Sequence, residues 1–158
     1  NIFLNLVKNL LSLNSKKNSL KPKKKSIVSF TKAFNGTKSS LVFWSSLSKT
    51  MKFKVTFVLQ PLPGWCEKKL TREEKMIFEY YDSRNLFASR VLEMMNNKKK
   101  YLSYTNKLEN ICNKLSVNYL DSNKFFKHSP YSKEWLFVDR VHLNDKGYEE
   151  LAKFIKND

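Results

Sequence analysis

The sequence predicts an α/β fold with a parallel sheet, and three observations carry that expectation. Lys52 to Gln60 (KFKVTFVLQ) is rich in strand formers and ends fully apolar, as a strand buried on both faces does. Val117 to Leu120 is a second short apolar run, ending at Asp121. Around and between them apolar residues recur at helical spacing, so the order reads helix, strand, helices, strand, helix. Two parallel strands alone do not make a stable domain. The chain therefore reads as the C-terminal part of an α/β domain, and Asn rather than Met at position 1 agrees with a start inside a longer frame.

Each element has a local reason. Residues 38–51 are expected to be helical, with Leu41, Trp44, Leu47 and Met51 on one stripe and Thr37 or Ser39 as the cap. Pro61 and Pro63-Gly64 stop the first strand. Thr71-Arg72-Glu73-Glu74 is a capping box, with Thr71 as N-cap and Glu74 reaching back, and opens a helix to about Tyr81. A further helix is expected near Leu86–Met95. Another, over about 98–115, carries Tyr101, Tyr104, Leu108, Ile111, Cys112 and Leu115 on one face. Asp121 is read as a turn cap and residues 122–137 as a loop with a turn at Ser129-Pro130. The last helix starts after Asn144, with Tyr148, Leu151, Ala152 and Ile155 facing inward.

Composition narrows the function classes. A chain of 158 residues fits one domain, or a small domain with an arm. With 41% hydrophobic and 14% aromatic residues it can build a core, which excludes a wholly disordered or fibrous chain. The three glycines, Gly36, Gly64 and Gly147, lie too far apart for a glycine-rich phosphate loop. Two Cys and two His are too few for a zinc finger or a disulfide framework, and no metal or other cofactor is expected. Cys66 and Cys112 are expected as reduced, partly buried thiols, although pairing in an oxidising compartment stays open.

The net charge of +16 is unevenly spread. Every charged residue before Glu67 is a lysine, whereas the remainder mixes both signs. A one-sided basic segment, here residues 8–54, attracts polyanions, so a non-enzymatic module binding nucleic acid or an anionic membrane is one reading. A solvated lysine-rich insertion is the other and is preferred, because the run lacks the interleaved Arg and aromatic residues that grip bases. Asn14 to Ser26, with six Lys and Pro22, reads as a disordered arm. Ile2 to Leu13 is amphipathic (Phe3, Leu6, Val7, Leu10, Leu11) but too short and too interrupted for a transmembrane segment, and no cleavage site for a secretory signal follows it.

The residues that point to chemistry sit just before the last helix, in Phe137-Val138-Asp139-Arg140-Val141-His142-Leu143-Asn144. A tight turn can bring the Asp139 carboxylate onto His142 Nδ1 and leave Nε2 free as an acceptor. That is the orienter-plus-base half of a hydrolytic triad. A helix-capping Asp beside an unrelated His fits the spacing too.

The segment Val138 to Ala152 (VDRVHLNDKGYEELA) resembles the C-terminal catalytic block of the SGNH (GDSL-type) hydrolase superfamily. There an Asp-x-x-His pair precedes the final helix and is followed by Leu-Asn and a glycine, here Asp139, His142, Leu143, Asn144 and Gly147. The strand ending Val58-Leu59-Gln60-Pro61, the following Leu70-Thr71 with Glu73-Glu74, and the strand ending at Asp121 keep the family's order. The resemblance covers about residues 38–158. It implies a flavodoxin-like three-layer α/β/α sandwich and a metal-free serine esterase or acyl hydrolase. In that chemistry serine attacks the ester carbonyl, His142 is general base and then acid, and Asp139 orients it.

The family's Gly-Asp-Ser block, its glycine block and its Gly-x-Asn-Asp block are absent from the 158 residues, and Asn35-Gly36-Thr37 does not match the last. The expectation is thus a C-terminal fragment with Asp139 and His142 but no nucleophile, inactive alone. Its parent would act on carbohydrate- or lipid-linked acyl esters. Residues 1–37 would form a basic N-terminal helix and lysine-rich loop, and residues 38–158 the hydrolase-like part. Gln60, at the carboxyl end of the first strand, is a candidate substrate-binding residue, and a polar terminator of a buried strand fits it equally well. Trp65 would cover a sugar or acyl group or anchor its loop, and His128 would be a surface residue.

Overall fold

The structure is a computed structural model that describes residues 30–84, 97–128 and 130–157. The apolar stretch Ile2–Leu13, the lysine-rich Asn14–Ser26 and the helix expected near Leu86–Met95 lie outside them. In chain order the elements are α1 (Phe30–Met51), β1 (Thr56–Leu59), α2 (Arg72–Arg84), α3 (Lys98–Leu115), β2 (Asn118–Asp121), α4 (Ser122–His128), a 3-10 turn (Pro130–Lys133) and α5 (Asp145–Lys156).

β1 and β2 pair in parallel, Thr56 with Asn118 through Leu59 with Asp121. The α/β class and its parallel sheet are therefore as expected. β1 is shorter than the apolar run suggests, and only Leu59 in it is buried. Among the described residues it has one partner strand, so its other positions stay partly open.

α1 begins at Phe30, not near residue 38, so the division drawn between residues 37 and 38 falls inside a helix. Thr37 and Ser39 do not cap it. Both hydroxyls bond back to carbonyls one turn earlier, Ala33 at 3.1 Å and Asn35 at 3.0 Å. The buried stripe is also different. Leu41 is covered, but Trp44 and Met51 are exposed, and the inward position one turn on is Ser45. Its hydroxyl donates to the Leu115 carbonyl at 2.7 Å, which ties α1 to an orphan carbonyl at the end of α3.

α3 matches its expected span and face. Asn97 caps it by accepting from the Lys100 amide, and Tyr101, Thr105, Leu108 and Cys112 are buried. Residues 122–137 are not a plain loop. α4 forms there because Asp121 Oδ1 accepts the Asn123 amide at 3.0 Å at its start, while Phe126 is buried. Asp121 is thus the expected turn cap, and it also accepts from Tyr101 Oη at 2.7 Å. α5 starts after Asn144 as predicted, but it is rotated: Gly147 and Glu150 are buried while Tyr148, Ala152 and Ile155 are exposed.

Two cores result. Leu41, Leu59, Leu62, Trp65, Leu108, Cys112 and Val117 form the first, between α1, α3 and the sheet. Cys66, Phe78, Phe126, Leu136, Phe137 and Leu143 form the second, under α2 and α5. Trp65 anchors its loop, lying buried with its ring 5.0 Å from that of Tyr101. Cys66 and Cys112 are free and buried, and burial pushes their thiols up to about 12 and about 11.

Candidate functional site

The loop 138–142 is closed at its neck. The Val138 amide donates to the His142 carbonyl at 3.0 Å, and Phe137 and Leu143 form an antiparallel bridge just below. Inside, Asp139 uses its two carboxylate oxygens differently. Oδ1 accepts the amides of Val141 and His142, both at 2.7 Å, which builds the turn as short acidic side chains do. Oδ2 lies 2.7 Å from His142 Nδ1. An ionised carboxylate only accepts, so Nδ1 carries the proton and Nε2 of the neutral ring is left as an acceptor.

Partial burial of Asp139 works against its charged form. The hydrogen bond from His142 and the two backbone amides outweigh that and hold the carboxyl below its ordinary range. The His142 side chain is 60% exposed, so its far edge is open to a reactant.

Neighbouring elements hold the loop from several sides. From the carboxyl end of β1, Gln60 Nε2 donates to the Val141 carbonyl. Arg140 reaches α2, where its guanidinium pairs with Asp82 and lies 4.8 Å over the Phe78 ring. Asn144 caps α5 by accepting the Gly147 amide at 2.8 Å, and its Nδ2 donates to the Trp135 carbonyl at 2.8 Å. Gly147 is required there, since a Cβ would sit 2.8 Å from the Leu136 carbonyl oxygen and 2.9 Å from Leu143 Cβ.

The structure thus brings Asp139, His142 and Gln60 to one loop. His128 ends α4 and is exposed, as expected. Sequence reasoning missed Arg140 and Asp82, which are 58 residues apart and give no local signal. A cavity of about 390 Å³ between α4 and α5, lined by Phe125, Tyr131, Glu150 and Phe154 among others, includes no residue of the 138–142 loop.

Among the described residues no group of three His, Cys, Asp or Glu side chains is placed to hold a metal ion. No described helix is long and apolar enough to cross a membrane. The expected basic segment is described only from residue 30, where Lys32, Lys38, Lys49, Lys52 and Lys54 are all exposed.

The chain thus joins an α/β architecture to an imidazole braced by a carboxylate just before its last helix. The model of the GDSL-like lipase/acylhydrolase family matches residues 12–155, and the chain belongs to that family. Ester hydrolysis is its family-level activity and esters are its substrate class. No curated protein matches the chain.

Proposed function

We propose that this chain supplies the base and its orienting carboxylate to a Ser-His-Asp ester hydrolase. His142 is the general base and Asp139 the residue that fixes its tautomer. The observation that carries this reading is the 2.7 Å contact from Asp139 Oδ2 to Nδ1 of a ring whose other edge is open. His142 Nε2 takes the proton of a serine hydroxyl as its oxygen bonds to the ester carbonyl carbon. The same proton then goes to the departing alcohol as the C–O bond breaks. Water, deprotonated by His142, releases the acyl group in a second round.

The 158 residues contain no Gly-Asp-Ser, and the nucleophile in this reading comes from sequence beyond them. The substrate is a carbohydrate- or lipid-linked acyl ester, by family likeness. Gln60, exposed at the carboxyl end of β1, stands on the substrate side while its amide braces Val141.

The test is a reporter ester. The chain alone, given p-nitrophenyl acetate, shows no turnover above buffer. Joined to the Gly-Asp-Ser-bearing segment of its own reading frame it gains turnover, which His142→Ala abolishes. Turnover by the isolated chain that His142→Ala removes would contradict the missing nucleophile. Turnover by the joined protein that survives His142→Ala would contradict the base.

A further inference from the structure

We propose that Glu74 is a positioning residue for the Asp139–His142 loop, an inference that rests on the proposed role of that pair. A capping box asks little of its glutamate: one carboxylate oxygen returned to the N-cap amide, usually at the surface. Glu74 meets that demand with Oε2, which accepts the Thr71 amide at 2.9 Å. Yet its side chain is fully buried, and so is that of Lys68, whose Nζ lies 2.6 Å from the same oxygen. Burying an ion pair is costly, and a helix cap gives no return for it.

The other oxygen supplies the reason. Glu74 Oε1 accepts the backbone amides of Leu136 at 2.9 Å and Phe137 at 3.1 Å, 62 and 63 residues away. These two residues are one side of the stem beneath the loop. Phe137 bridges Leu143, and the Leu136 carbonyl accepts the Asn144 amide at 2.8 Å. One residue above, the Val138 amide closes on the His142 carbonyl. The chain of contacts from Glu74 thus runs through the backbone of Phe137 to the 138–142 neck and reaches the imidazole by way of the Asp139 carboxylate. Hydrogen bonds to a charged, desolvated acceptor are the stronger kind, and here they fix where the stem stands relative to α2. Lys68 sets a cation beside this carboxylate, so three amides and an ammonium together occupy its two oxygens.

The experiment reads the ring tautomer of His142 by nitrogen chemical shifts in the full chain, above the range where the imidazole titrates. A free neutral imidazole favours hydrogen on Nε2, whereas the carboxylate contact holds it on Nδ1. Two double variants remove the buried charges equally. Lys68→Met with Glu74→Gln keeps a carbonyl oxygen for Leu136 and Phe137, and Lys68→Met with Glu74→Leu does not. The first is expected to keep the Nδ1–H form. The second is expected to drift to the free-imidazole mixture and to speed exchange of the Phe137 and Val138 amides by about tenfold or more, as losing such a bond implies, while the β1–β2 amides keep their protection. Should the leucine variant fail to fold, Glu74→Asp decides, because its shorter arm cannot reach both amides while keeping Lys68, and the same drift is expected. An unchanged tautomer in a folded leucine variant, or in Glu74→Asp, would overturn the proposal. None of these readouts requires ester turnover, so a failure of the hydrolase reading would show itself separately.

Discussion

Asp139 and His142 are joined twice: carboxylate Oδ2 to ring Nδ1 and carboxylate Oδ1 to the His142 amide, each at 2.7 Å. One side chain therefore sets both the shape of the turn and the direction of the imidazole. The two functions separate by mutation. Asp139→Asn retains one oxygen but must offer an NH2 either to the amides of Val141 and His142 or to Nδ1. In the protein joined to its serine-bearing segment, it is expected to lower kcat by about 10³- to 10⁴-fold, the scale seen when a triad loses its orienting charge. A kcat within a factor of a few of the parent would contradict the orienting role.

Acid exposes the same interaction. Because the folded-state pKa of Asp139 lies below its unfolded value, the contact contributes stability that is full above the ordinary 3.8 and is lost as pH falls through the lower folded value. Urea midpoints of the parent and of Asp139→Asn should differ near neutrality and converge in strong acid. A gap that stays constant across that range would contradict the linkage.

Gly147→Ala should be destabilising although alanine favours helices. Its methyl would meet the Leu136 carbonyl oxygen at 2.8 Å and Leu143 at 2.9 Å, so the stem under the loop has to shift. A loss of about 1–3 kcal/mol in urea unfolding is expected, the usual scale of overpacking. A gain in stability would show that the helix start can move without cost.

Lys68→Met leaves the Glu74 carboxylate buried without its cation. Breaking one side of a buried pair typically costs about 3–5 kcal/mol, and denaturant unfolding at neutral pH should show a loss of that size. An effect under about 1 kcal/mol, the range of surface pairs, would mean that the site admits water.

Cys66 should resist thiol reagents in the native protein. It is buried, and burial raises its thiol to about 12, so almost no thiolate exists at neutral pH. Its reaction with Ellman's reagent should follow the unfolding transition, and rapid labelling without denaturant would contradict that burial.

What was legible in the sequence is what depends on near neighbours. The Thr71–Glu74 capping box, the apolar face of α3, the two apolar strand runs and the Asp-x-x-His turn are all written within a short stretch of chain. What escaped depends on partners far along the chain. α4 has seven residues, too short for a helical period to show, and rests on Asp121 and the burial of Phe126. The stripe of α1 differs from its apolar spacing because Ser45 faces inward, where it bonds the Leu115 carbonyl 70 residues away. The face of α5 was misread for a related reason. Gly147 turns inward against the stem residues Leu136 and Leu143, and Glu150 is buried too, leaving the larger Tyr148 and Ile155 outside. Glu74 shows both cases at once, its cap readable from four consecutive residues and its grip on Leu136 and Phe137 from none.

The protonation of the His142 ring bears most immediately on whether Asp139 prepares it to act as a base. Ring nitrogen shifts of the unmodified full chain, taken above the titration range of the imidazole, should show hydrogen on Nδ1 and a bare Nε2. A ring carrying its hydrogen on Nε2 would mean that the carboxylate does not direct it and that Asp139 only shapes the turn.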